Sequence, residues 1–146
     1  MRAGFTLIEL LIVMAVIAAL LSTVTPVAMN AVIKAKATQI AMNLRNLKSA
    51  VEQCIIVEES TDTTCTTIGG LVESAYLSRN PGEDYKIGEV SGNGVISVWI
   101  GYKGDMKPGR IFQVYDEVIT GDECKNHFND DSSFKVCVEA RIGKYW

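Results

Sequence analysis

"MRAGFTLIELLIVMAVIAALL" (residues 1–21) carries the reading from which the rest of the chain follows. An apolar run starts almost at once and holds a single carboxylate, Glu9, and the next charge beyond it is Lys34. The uncharged stretch Leu10–Ile33 is therefore about 24 residues, or roughly 36 Å of helix at 1.5 Å per residue. A bilayer core is about 30 Å thick, so this stretch is long enough to cross one. A secretory signal would have a shorter apolar core with a small-residue cleavage site soon after it. Ala35-Lys36-Ala37 has that A-x-A shape, but it lies in a basic, helix-like region. A domain of this size cannot enclose so long an apolar helix, and the run reads as a membrane anchor. Arg2 on the short leading side points to a cytoplasmic N-terminus.

Glu9 needs an explanation of its own. A carboxylate inside a spanning helix costs about 2.5–3.5 kcal/mol on insertion scales, and membranes keep such groups mainly for function. At headgroup level it would cost little. Its neighbours decide between these two readings.

"GFTLIEL" (4–10) resembles the processing site of type IV prepilins, a family that includes the pseudopilins of type II secretion. The resemblance implies that a prepilin peptidase cuts between Gly4 and Phe5 and methylates the new amine of Phe5. Residues 1–4 would then be a leader, 5–28 a transmembrane and filament-core half-helix, and 29–146 a globular head. Pro26 falls where pilins commonly have a proline, whereas Ala18 stands where many relatives have a glycine. An ammonium at Phe5 would lie at the positive end of the helix dipole, where it is unfavourable, and a carboxylate one turn along offsets it. In a bundle that carboxylate can neutralise a neighbouring subunit's amine and so specify register. Before cleavage no such amine exists, so processing would create an assembly contact through Phe5 and Glu9.

Pro26 lacks an N–H and crowds the preceding turn, which predicts a kink or joint, with Ser22, Thr23 and Thr25 available to bond freed carbonyls. Past Pro26 the pattern turns amphipathic. Apolar residues recur from Val27 through Ala37, Ile40, Ala41, Leu44, Leu47, Val51, Cys54 and Ile55, mostly three or four apart, with polar residues between. A helix from Phe5 to about Val57 would be about 80 Å long.

"STDTTCTTIGG" (60–70) reads as a loop and "LVESAYLSRNPG" (71–82) as a short helix. "DYKIGEV" and "VISVWIGY" flank Ser91-Gly92-Asn93-Gly94, a hairpin signal. "RIFQVYDEVI" and "FKVCVEARI" supply further strands. In the last, Phe134, Val136, Val138, Ala140 and Ile142 share one face. The expected architecture is α+β: a long N-terminal helix on a roughly four-stranded antiparallel sheet, the type IV pilin fold that the resemblance implies.

Cys54, Cys65, Cys124 and Cys137 form no CxxC pair. In a domain on the outer side of a membrane they read as disulfides, with three connectivities open. Cys54–Cys65 and Cys124–Cys137 are favoured because each joins near neighbours across one loop, the second much as the C-terminal disulfide loop does in many pilins. Closing such a loop contributes about 3 kcal/mol.

Nothing in the sequence assembles a catalytic site. His127 is the one histidine and reads as a solvated loop residue. Asp122, Glu123, Asp130 and Asp131 match no calcium-loop spacing. A net charge of −3 without blocks of like charge leaves no nucleic-acid footprint. No enzyme, cofactor or metal is expected. The resemblance implies a structural subunit of a homo-oligomeric surface filament. It would be held first in the bacterial inner membrane and served by the peptidase, a platform protein and an assembly ATPase. The alternatives are a pseudopilin of a secretion or DNA-uptake machine, and a single-pass anchored binding module.

Overall fold

The structure, a computed structural model, describes residues 5–92, 94–128 and 133–143, apart from the side chains of Glu89, Ser91, Asp122 and Lys125. The chain divides after Lys36 into two compact units. One helix, α1 (Leu7–Glu58), supplies all the regular structure of the first unit and opens the second.

In the first unit α1 is apolar and exposed on every side, with Leu7, Leu11, Val16, Leu20, Val24 and Val32 each about half exposed or more. Pro26 lies within the helix without ending it. The Thr23 hydroxyl donates to the Leu20 carbonyl (2.9 Å) and the Thr25 hydroxyl to the Leu21 carbonyl (2.7 Å). These bonds go to the turn before the proline rather than to the Ser22 carbonyl, which is the one that the missing Pro26 N–H leaves without its helical donor.

In the second unit α1 becomes the inner wall of a head. Its buried residues run Ala37, Ile40, Ala41, Leu44, Leu47, Ala50, Val51, Cys54 and Ile55, a single stripe at helical spacing. The stripe packs on a four-stranded antiparallel sheet of order β1-β2-β4-β3, built from β1 (Tyr85–Ser91), β2 (Val95–Tyr102), β3 (Ile119–Thr120) and β4 (Val136–Gly143). Each fully buried Leu or Val side chain here is worth about 1.5–3 kcal/mol relative to exposure. The fold is the α+β arrangement anticipated: a long N-terminal helix on four strands.

The strands follow the period-two pattern. Val136, Val138, Ala140 and Ile142 face α1, while Glu139 and Arg141 point away; Phe134, expected on the same face, precedes β4, where the strand alternation does not hold, and packs in the cluster with Trp99 and Cys137 instead. β2 pairs with β4 along its whole length, from Val95 opposite Gly143 to Tyr102 opposite Val136. β1 carries one extra residue between Ile87 and Val90, a bulge beside Gly88.

Three segments differ from the sequence-based expectation. "STDTTCTTIGG" is not a plain loop: it forms one turn of helix, α2 (Thr63–Thr66), and enters α3 (Ile68–Glu73). Thr67 caps α3 by accepting from the Gly70 N–H (3.1 Å). A β-carbon at Gly70 would strike the Thr64 backbone, so this glycine lets two short helices touch. The helix expected over 71–82 accordingly starts earlier and ends at Glu73, where Ala75 takes a left-handed φ of 61°.

"RIFQVYDEVI" is not a strand. It begins inside the helix α4 (Pro108–Phe112), and only Ile119–Thr120 pairs with β4. Pro108 at the first helical position is preorganised for a helix start, and the buried residues Ile111, Tyr115 and Val118 recur at helical rather than strand spacing. The fifth helix, α5 (Asp122–Lys125), is a single turn leading into the last loop.

Candidate functional site at the helix start

Among the sequence-derived site residues, Gly4 lies outside the described residues, and so do Asp130 and Asp131. Phe5 precedes the helix and is 83% exposed. Glu9 sits in the first turn of α1.

Thr6 and Glu9 close that turn reciprocally. The Thr6 N–H donates to Glu9 Oε2 (2.9 Å), the Thr6 hydroxyl donates to the same oxygen (2.6 Å), and the Glu9 N–H donates to Thr6 Oγ1 (3.4 Å). The Thr6 carbonyl accepts the first helical bond, from Leu10 N–H (3.3 Å). This is a capping box, in which residue 6 is the cap and residue 9 the third helical position. Glu9 therefore has a partner in its own chain. Thr6 was missed as a site residue, although the T-x-x-E spacing ahead of an apolar run is its sequence signal.

The geometry has two chemical consequences. The carboxylate is aimed back over the helix N-terminus, next to Phe5, where its charge complements the exposed amide donors. The capped turn also opens a helix that is long and apolar enough to cross a membrane by length and composition.

In the head, Cys54–Cys65 and Cys124–Cys137 are bonded, with Cα separations of 5.4 and 5.7 Å. The first ties α2 back onto α1 across the turn in which Glu59 has φ 49°. The second fastens the last loop to the outer face of the sheet. There a second cluster of Trp99, Cys124, Phe128, Phe134 and Cys137 forms, separate from the core on the α1 side. Gly88 and Gly101 provide its floor: a β-carbon on either would lie within 2.7 Å of the Phe128 ring. His127 is not simply a solvated loop residue. Its ring stacks flat on Trp99, with centroids 3.8 Å apart and planes 5° apart.

Polar contacts elsewhere in the head are structural. Lys48 pairs with Glu117 (2.9 Å), Tyr115 O–H donates to the same carboxylate (2.9 Å), and Arg45 lies over the Tyr115 ring at 4.3 Å. The Lys48 and Tyr115 donors hold the Glu117 carboxyl below its ordinary range. Burial first, and the hydrogen bond to Glu117 second, push the Tyr115 phenol up to about 12. A groove of about 620 Å³ between α1 and residues 77–81 has apolar Met42, Leu47, Leu77 and Pro81 in its lining beside the amides of Gln39, Asn43, Asn46 and Asn80. Gln39 donates to Asn43 (3.1 Å), and Asn43 donates to the Tyr85 hydroxyl (3.0 Å). Among the described residues no group of three or more His, Cys, Asp or Glu is placed to hold a metal ion.

A capped apolar helix leading into an α+β head is the arrangement that the resemblance to type IV pilins implied, and comparison with known proteins finds likeness over part of the chain. Residues 1–25 match the family model for the prokaryotic N-terminal methylation motif. A "Probable minor fimbrial protein" of Dichelobacter nodosus is 46% identical over 52 residues, which is 36% of this chain. The match spans 33% of that relative's length. No solved structure matches the chain.

Proposed function

We propose that this chain is a type IV pilus subunit, cut after Gly4, methylated at Phe5, stored in the bacterial inner membrane with its head outside, and polymerised into a surface filament. One observation carries the reading: a helix apolar and exposed on all sides runs through and beyond the N-terminal methylation motif matched over residues 1–25. So much exposed apolar surface, at about 25 cal/mol per Å², must be covered either by lipid or by other copies. The fimbrial description of the relative supports the second cover as the working state.

Under this reading Glu9 leaves the capping box in part to meet a neighbour's Phe5 amine, and Pro26 marks a joint at which the helix lengthens in the filament. Prepilin peptidase, a platform protein and an assembly ATPase are the partners, the ATPase supplying the work of extraction.

The test is the intact mass and N-terminal fragmentation of the protein from membranes and from sheared surface material. A methylated chain beginning at Phe5 in the sheared fraction is expected. A chain that begins at Met1 in both fractions refutes processing. Processed chain confined to the envelope assigns it to a pseudopilin instead. Glu9→Ala is expected to leave the membrane-held subunit intact and abolish filaments; normal filaments would remove Glu9 from the assembly contact.

A further inference from the structure

We propose that the groove between α1 and residues 77–81 receives the end of α1 from a second copy, whose Ile56 and Val57 meet its apolar lining and whose Glu59 meets Arg79. The inference rests on the polymerising subunit proposed above and names one contact of the polymer.

The first observation is the groove. Its volume, about 620 Å³, is in the range that bound groups fill, and Leu47, Leu77 and Pro81 make part of its lining apolar. Arg79 is the one charged residue among the described residues that line it. Among the described residues Arg79 has no hydrogen-bond or ion-pair partner, and neither has the Asn46 amide.

The second is the segment. Ile56 and Val57 are 58% and 66% exposed, and among the described residues of the head they are the one adjacent pair of large apolar side chains left so. They lie in the last turn of α1, which holds no basic residue. The last carbonyls of a helix have no intrahelical donors and form the negative end of its dipole. Glu59 follows directly, exposed and without a partner among the described residues. The segment is thus apolar, rich in acceptors and negative, where the groove is apolar, supplied with donors and positive. An amphipathic helix seated in a groove uses the same combination.

The third is spacing. Arg79 lines the groove beside residues 39–47 of α1, and Glu58 lies roughly 16 Å beyond Leu47 along that helix. This rise keeps the groove and the segment of one copy apart, so each finds its complement on another copy. Contacts between two different patches run head to tail and extend into open helical arrays unless the rotation closes a ring. A filament needs a contact of this type.

The experiment mixes heavy-isotope-labelled and unlabelled full-length chain in detergent micelles, with Ser78 beside Arg79 replaced by photoreactive benzoylphenylalanine. After irradiation, mass spectrometry of the digest identifies crosslinks that join the two isotopes. These should fall on residues 53–59. Arg79→Glu or Glu59→Arg alone should cut their yield by about fivefold, the scale of an exposed ion pair, and the two together should restore it. Ile56→Ser/Val57→Ser should also lose the crosslink, and both side chains are exposed, so the fold is not at stake. Crosslinks confined to one copy or landing elsewhere overturn the contact. So do single charge reversals that leave the yield unchanged, or a double variant that stays low. The assay needs neither processing nor filaments, so a failure of the pilus reading would show separately, as an uncut N-terminus.

Discussion

The Phe128 ring occupies the space where a β-carbon of Gly101 would be, with Cζ 2.6 Å from that position. Phe134 closes in from the other side, 2.7 Å from the same point, and the two phenyl rings stack with centroids 4.5 Å apart. A strand glycine normally weakens a sheet, but this one makes a seat for an aromatic pair.

Gly101→Ala should therefore unseat the pair and destabilise the protein by about 1–3 kcal/mol, the usual cost of overpacking. Gly69→Ala is the matched control. It sits in α3 with nothing within 4 Å of an added β-carbon, and should be neutral or stabilising by up to about 1 kcal/mol. Thermal or urea unfolding of the full chain in detergent reads both. Equal effects would show that Phe128 simply moves aside.

Thr6→Val should fray the first turn of α1, because it removes the hydroxyl from both of its bonds, as donor to the Glu9 carboxylate and as acceptor from the Glu9 N–H. Thr6→Ser keeps the hydroxyl and should keep the turn. Amide hydrogen exchange at Leu7, Ile8 and Glu9 in micelles would separate the two variants. Identical protection in both would mean that the box does not set where the helix begins.

Tyr115 predicts an alkaline signature. Its phenol is raised from an ordinary value near 10 to about 12. A proton held more tightly by the folded than by the unfolded chain stabilises fully below pH 10. That contribution is lost as pH rises from there through about 12. Phenolate absorbance should show one late-titrating group that Tyr115→Phe removes, and the variant's stability should fall less steeply over this window. Burial raises Tyr85 and Tyr102 as well, so the difference between wild type and variant is the quantity to measure. Glu117 runs in the opposite sense. Its lowered carboxyl stabilises above its ordinary value of 4.5, and this is lost as pH falls below that, weakly because the group is exposed.

Replacing Cys124 and Cys137 together with serine should cost about 3 kcal/mol and release the outer cluster first. The expected pattern is loss of the near-ultraviolet signal from Trp99 while the amides of β2 and of α1 beyond Ala37 stay protected. Simultaneous loss of both would show that the two faces of the sheet fold as one unit.

Much of this was legible in the sequence because single-residue periods carried it. The stripe from Ala37 to Ile55 and the alternation from Val136 to Ile142 each name their buried face directly. The segment 110–119 was misread because Ile, Phe, Val and Tyr suit strands. The proline ahead of it starts a helix that ends at Phe112, and turns carry the chain past Tyr115 and Val118 to the short strand. The Trp99–His127 stack was out of reach for a different reason. It joins a strand to a loop, and nothing in the local pattern of either announces the other. The capping box was the one omission with a readable signal, hidden because Glu9 had been given a partner outside its own chain.

The stacked rings of Phe128 and Phe134 also act as a clasp. They hold the two ends of the intervening chain together against the sheet, inside a loop whose outer ends the disulfide already joins. Two ties of different chemistry, one covalent and one aromatic, therefore close the same stretch of chain, so that losing either one leaves the other to keep its ends together on the sheet.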